Sequence, residues 1–77
     1  MSDDESRVEY TEYALRRMHE RDILDEEVAA ALRAPSSRHK FRRDGRAEAR
    51  QRIGPRTLCV IYRREPSAII VINAMWE

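Results

Sequence analysis

The sequence predicts an α+β domain, a two-helix hairpin packed on one face of a four-stranded antiparallel sheet. Residues 11–34 hold two stretches with apolar residues at helical spacing. From residue 38 onward four stretches alternate in polarity or run continuously apolar, as strands do. The breaks between those four are turn signals. Asp44-Gly45 marks a two-residue hairpin, because Gly accepts positive φ freely and Asp tolerates it. Gly54-Pro55 and Glu65-Pro66-Ser67 are further breaks, since Pro lacks the N–H that a ladder needs. At 77 residues the chain is one domain, near the size at which a single core only just suffices. Residues 1–6 read as a flexible charged tail and residues 7–77 as the domain.

In chain order, Val8 and Tyr10 alternate with Arg7 and Glu9, which permits an extra short N-terminal strand. Thr11 can N-cap a helix that places Ala14, Leu15 and Met18 on one side, with Glu12 in the first turn as the helix dipole prefers. Within it, Arg17 and Arg21 are neighbours four apart; they repel and favour an anion nearby. A second helix is expected with Asp25 as its cap, Leu24 stapled to Ala29, and Val28, Ala31 and Leu32 buried. Ala34-Pro35 ends it. In the first strand of the second half His39 and Phe41 point one way, and Arg38, Lys40 and Arg42 the other. In the next, Glu48, Arg50 and Arg52 share a face opposite Ala47, Ala49, Gln51 and Ile53. The last two strands are apolar on both faces, so the side away from the helices needs a cover, such as a homodimer partner.

Charge is segregated along the chain. Residues 1–34 carry ten acidic and five basic side chains, a net of −5, and residues 35–77 carry four acidic and ten basic, a net of +6. All ten of those basic side chains lie between Arg38 and Arg64, on the predicted β-ribbon. That is the footprint of a surface for a polyanion, or of two halves that attract each other across the fold. The sequence has no run of about 18 apolar residues to cross a membrane, and its MSDDES start has no apolar signal segment. With one cysteine, Cys59, no internal disulfide forms, and a reduced, cytoplasmic setting is expected.

Neither His19 nor His39 belongs to a metal-ligand spacing, and no phosphate-binding glycine loop is present, so neither metal nor cofactor is expected. What remains is arginine-rich strand chemistry. Cleaving RNA without a metal requires a base for the 2′-OH, a cation for the charge that builds on the phosphorus oxygens, and an acid for the 5′-oxygen. Arg suits the second task because its planar fork grips phosphate and stays charged. His, Glu or Tyr can serve the others. The candidate catalytic set is therefore Arg50, Arg52, Glu48 and His39. Candidate nucleic-acid contacts are Arg38, Lys40, Arg42 and Arg43, with Arg17 and Arg21 from the first helix. Glu48 in a cross-strand ion pair and His39 packed in the core are equally open readings.

The run from Tyr13 to Pro35 resembles the start of small domains grouped with the RelE/ParE toxin superfamily, close to BrnT-like toxins. Arg17-Met18, Arg21, Ile23, Glu26-Glu27-Val28, Leu32 and Pro35 carry the likeness. In the second half Glu48, Arg50, Gly54, Arg56 and Val60–Tyr62 are similar to the BrnT-like run of Glu-x-Arg, Gly, Arg and an apolar strand. Two positions depart from it: Tyr13 stands where the family has His, and Met75 where BrnT-like chains carry Arg. The resemblance implies a RelE-like toxin domain, a metal-independent endoribonuclease acting on mRNA, ribosome-bound in some relatives, with an antitoxin protein covering its basic surface. A gyrase target of the ParE type lies within the same superfamily. The two departures favour the alternative, a non-catalytic nucleic-acid or protein-binding module that keeps the fold.

Overall fold

The computed structural model describes residues 7–77, so the tail expected at 1–6 lies outside the described residues. Strand β1 (Arg7–Tyr10) leads into helices α1 (Glu12–Glu20) and α2 (Asp25–Arg33). Four strands follow: β2 (Arg38–Phe41), β3 (Arg46–Ile53), β4 (Arg56–Glu65) and β5 (Ala68–Trp76). The α+β class and the two helices on one face agree with the sequence reading. The sheet differs in detail. It has five strands in the order β1-β5-β4-β3-β2, and it is mixed, because β1 runs parallel to β5. The permitted N-terminal strand is thus a full member. Its Val8 and Tyr10 pack against the core on the helix side, beside Ile69 and Val71 of β5.

Each helix holds where its caps predict, with one shift. Thr11 caps α1, its Oγ1 accepting from Ala14 N at 3.0 Å. Helix α1 ends with Asp22 at φ 57°, Ile23 N donating to Met18 O at 2.9 Å and Asp22 N to His19 O at 3.3 Å. This is a Schellman-type stop made with Asp in place of the usual Gly. It turns Ile23 back into the core beside Met18. For α2 the N-cap is Leu24, not Asp25: Leu24 is extended, at φ −91° and ψ 153°, while Asp25 is already helical. Leu24 has no side-chain acceptor, and only half of a capping box forms, Glu27 Oε1 accepting from Leu24 N at 2.9 Å. Leu24 is 55% exposed, so it buries little as the expected staple to Ala29.

Helix α1 packs on β5 and β1, and α2 on β3 and β4. Their stripes meet Ala47, Ala49, Leu58, Val60, Tyr62, Val71 and Ala74 in one core. Past the end of β1, side-chain hydrogen bonds in both directions tie the helix layer to β5. Ile61 pairs with Asn73 but Tyr62 with Val71, so Ile72 is the extra residue of a bulge. Thr11 Oγ1 donates to Ile72 O at 3.5 Å, Arg21 NH1 to Ala74 O at 2.7 Å, and Trp76 Nε1 to Arg21 O at 2.9 Å. The β2–β3 turn also departs from expectation. Arg42 N donates to Arg46 O at 2.8 Å, which leaves residues 43–45 as a three-residue loop with Gly45 at φ 90°. Among the described residues, neither helix makes more than a marginal contact with β2.

Candidate nucleic-acid interface

The register of β2 on β3 decides which cations meet. Arg38 lies opposite Arg50 and Lys40 opposite Glu48, while His39 lies opposite Ala49 and Phe41 opposite Ala47. Because Ala47 and Ala49 belong to the core under the helices, Arg38, Lys40, Glu48, Arg50 and Arg52 stand on the other, uncovered face. Where β2 begins, this face forms a cleft of about 310 Å³ lined by Ser36, Arg38, Arg50, Gln51, Arg52 and Thr57. Three guanidinium groups, two hydroxyls and an amide are the chemistry of an anion site. The cleft's scaffold is fixed on both sides. Ser36 and Ser37 hydroxyls donate to Gln51 Oε1 at 3.1 and 3.0 Å, and Arg52 Nε donates to Gly54 O at 2.9 Å.

Glu48 sits beside this cleft and is only 5% exposed. Both of its oxygens are taken: Arg42 NH2 donates to Oε2, and Arg50 NH1 to Oε1 at 2.7 Å. Arg50 is shared again, its Nε and NH2 reaching the Glu77 carboxylate at 3.0–3.2 Å. The Glu77 carboxylate pushes the Arg50 pKa up. Under the pair lies Cys59, 2% exposed, whose thiol burial pushes up, Arg50 and Arg42 pulling it partly back. The result is a chain Arg42–Glu48–Arg50–Glu77 across the open face. By contrast, among the described residues no carboxylate pairs with Arg38 or Lys40.

The sheet separates the four residues expected to act together. Arg50 and Arg52 share the cleft and Glu48 lies next to it, but His39 is on the helix side of β2, where its Nδ1 and the Tyr62 hydroxyl share a hydrogen bond of 2.9 Å. Burial pushes the Tyr62 phenol up, and Arg64 beside its hydroxyl opposes that. Among the expected nucleic-acid contacts, Arg38 and Lys40 lie on the open face, Arg42 reaches it to hold Glu48, and Arg43 is exposed in the turn. Arg17 and Arg21 belong to the helix layer instead. Arg17 lies 5.0 Å from the Tyr13 ring centre and pairs with Glu20 at 2.9 Å, and Arg21 is spent on Asn73 and Ala74. Met75 faces Cys59 across the ladder on the open side. Sequence reasoning missed Ser36, Gln51 and Thr57 as lining and Glu77 as the partner of Arg50, 27 residues away with no local signal.

Among the described residues no group of three or more His, Cys, Asp or Glu could hold a metal ion, and no helix is long and apolar enough to cross a membrane. Compared with known proteins, the chain matches no family model, no curated protein and no solved structure.

Proposed function

We propose that this chain is a RelE-like domain that binds RNA through the phosphate backbone, along β2 and β3, and that it binds without cutting. The observation that carries the reading is the cleft of Arg38, Arg50 and Arg52, where among the described residues no carboxylate pairs with Arg38 or Arg52 and Arg50 is shared with Glu48 and Glu77. A phosphate there meets forked donors that stay charged at any physiological pH. The same lining supports binding over cleavage, because it contains no His, Asp, Glu, Cys, Tyr or Lys that could move a proton. Glu48 is the nearest carboxylate, and both its oxygens already accept from arginines. An antitoxin-like protein with an acidic surface would compete for the same ribbon.

The second reading, a metal-independent endoribonuclease acting on mRNA, draws on one observation: Arg50 and Arg52 line the same cleft, and stabilising a phosphorane calls for cations at one site. Two measurements separate the readings. Titration of an unstructured RNA at several salt concentrations should give a log–log slope of about −2, at about −0.7 per phosphate for three phosphates. An affinity independent of salt would overturn the nucleic-acid reading. Induced expression in a bacterial host, with primer extension on cellular RNA, should give no new 5′ ends. Growth arrest with discrete ends would replace the binding module by the ribonuclease.

A further inference from the structure

Phe41 is 70% exposed, the most exposed of the large apolar side chains described. Its position is set by the fold. Phe41 and His39 occupy the helix-facing side of β2, but α2 covers β3 and β4 and stops short of the edge strand. Their neighbours across the ladder are Ala47 and Ala49, whose small side chains leave a low floor beside the two rings. The His39 ring is held, with its Nδ1 2.9 Å from the buried Tyr62 hydroxyl and its plane at 85° to the Tyr62 ring. Side chains two apart on a strand stand about 7 Å apart, roughly twice the contact distance of two stacked atoms. That spacing admits one flat ring between Phe41 and His39, or one on each.

The surroundings say what kind of ring. Lys40, Arg42 and Arg43 flank Phe41 in sequence, and Arg64 lies beside the Tyr62 hydroxyl on the same side of the sheet. Lys40 and Arg42 turn to the opposite face of this edge strand, so the apolar shelf has Arg64 beside it and further cations just over the edge, which suits a planar ring tethered to phosphates. From this juxtaposition we infer that Phe41 and His39 form a base-stacking shelf on the edge strand, and that the RNA bound is single-stranded. This rests on the backbone-binding reading above and adds to it. The cleft arginines take phosphates on one side of β2, and the shelf takes a base on the other. A duplex keeps its bases stacked inside and cannot offer a face to such a shelf.

The test uses three probes, an unstructured RNA decamer, the same sequence as a duplex, and inorganic polyphosphate of similar charge. They are titrated at fixed salt against the full chain and its Phe41→Ala and Phe41→Trp variants. Because Phe41 is largely exposed, both variants should fold, and circular dichroism checks that. The wild-type chain should prefer the single strand to the duplex. Phe41→Ala should weaken single-strand binding by roughly 5- to 150-fold, the range for one lost base–aromatic stack. It should leave polyphosphate binding unchanged, and Phe41→Trp should restore the single strand. If Phe41→Ala binds the decamer as well as wild type while polyphosphate still binds, the shelf is wrong and the backbone grip stands. Equal affinity for duplex and single strand overturns it too. If the wild-type chain binds none of the probes, the nucleic-acid reading falls with it, and an exposed Phe on a cationic edge strand becomes a protein-docking feature.

Discussion

Glu48→Gln separates a structural carboxylate from a catalytic base. Glu48 is 5% exposed, and it accepts from two arginines whose side chains are 46% and 36% exposed. Gln keeps the shape and one acceptor oxygen but turns an NH2 toward a guanidinium, so one charge-assisted hydrogen bond is lost and a donor faces a donor. A hydrogen bond to a charged group contributes about 1.5–3 kcal/mol, and partial exposure of the arginines trims this toward about 2 kcal/mol. For a domain of this length about 2 kcal/mol lowers Tm by roughly 8–16 °C. It is a large share of a total stability of about 4–12 kcal/mol, yet it leaves the chain folded at 25 °C. The assay is thermal and urea unfolding by circular dichroism, with RNA affinity measured on the same samples. The structural role predicts a lower Tm with an unchanged urea slope, and RNA affinity equal to or above wild type. A Tm within about 2 °C of wild type would refute the reasoning and return Glu48 to the candidates for proton transfer.

Arg38→Ala should reduce RNA affinity and flatten the salt slope by about 0.7 without moving Tm, whereas Arg50→Ala, which strips Glu48 of a partner, should lower both; equal Tm values for the two would contradict the division. Glu77→Gln frees an Arg50 that the carboxylate now holds in a pair 36% and 40% exposed, worth under about 1 kcal/mol, so anion affinity should rise by up to about 5-fold. Unchanged affinity would show that Glu77 does not compete. Leu24→Ser supplies the missing cap to α2 and completes the box with Glu27, which should add about 1 kcal/mol and raise Tm by about 4–8 °C; no gain would place the N-cap elsewhere. Burial pushes Cys59 up from its ordinary 9.0 and Tyr62 and Tyr10 up from 10.0, so folding keeps all three protonated. Their contribution is full below those ordinary values and is lost as pH rises through the higher folded ones, so the urea midpoint should hold from pH 6 to 8 and fall above about pH 9. Cys59→Ala should blunt the start of that fall, and a midpoint rising with pH would be the contrary result.

The fold was readable where one local signal sufficed. Thr11 capped α1 as its position implied, and the alternation of β3 assigned Ala47, Ala49 and Glu48, Arg50 to opposite faces. Alternation assigns a face, not a burial. Ala47, Glu48 and Ala49 are all buried, the alanines under the helices and Glu48 paired with Arg42 and Arg50 on the side that the pattern reads as solvent. The fifth strand was legible only as a permission, since four residues carry little periodicity and its parallel partner lies some sixty residues on. Leu24 was misread because Asp25, Glu26 and Glu27 are all acidic, and any of them satisfies the rule for a first turn. The Arg50–Glu77 pair has no sequence signature at all. It depends on β5 lying beside β4, which is tertiary information.

The alternation that grouped His39 with Phe41 already set both apart from Arg38 and Lys40, and the register extends that division to Arg50 and Arg52. A sheet is a partition as well as a scaffold. Side chains one residue apart on β2 face different surroundings, a cationic cleft on one side and an aromatic shelf beside a buried tyrosine on the other. His39 and the phosphate-gripping arginines therefore cannot meet at one small reacting centre, since backbone stands between them, and Glu48, on the arginines' own face, is held by Arg42 and Arg50. The arginines and His39 can both meet one extended ligand that passes over the edge of β2, the outermost strand among the described residues. That geometry suits a flexible strand with alternating phosphates and bases better than a compact substrate, which is why a binding module fits these residues better than a cleavage site assembled from the same ones.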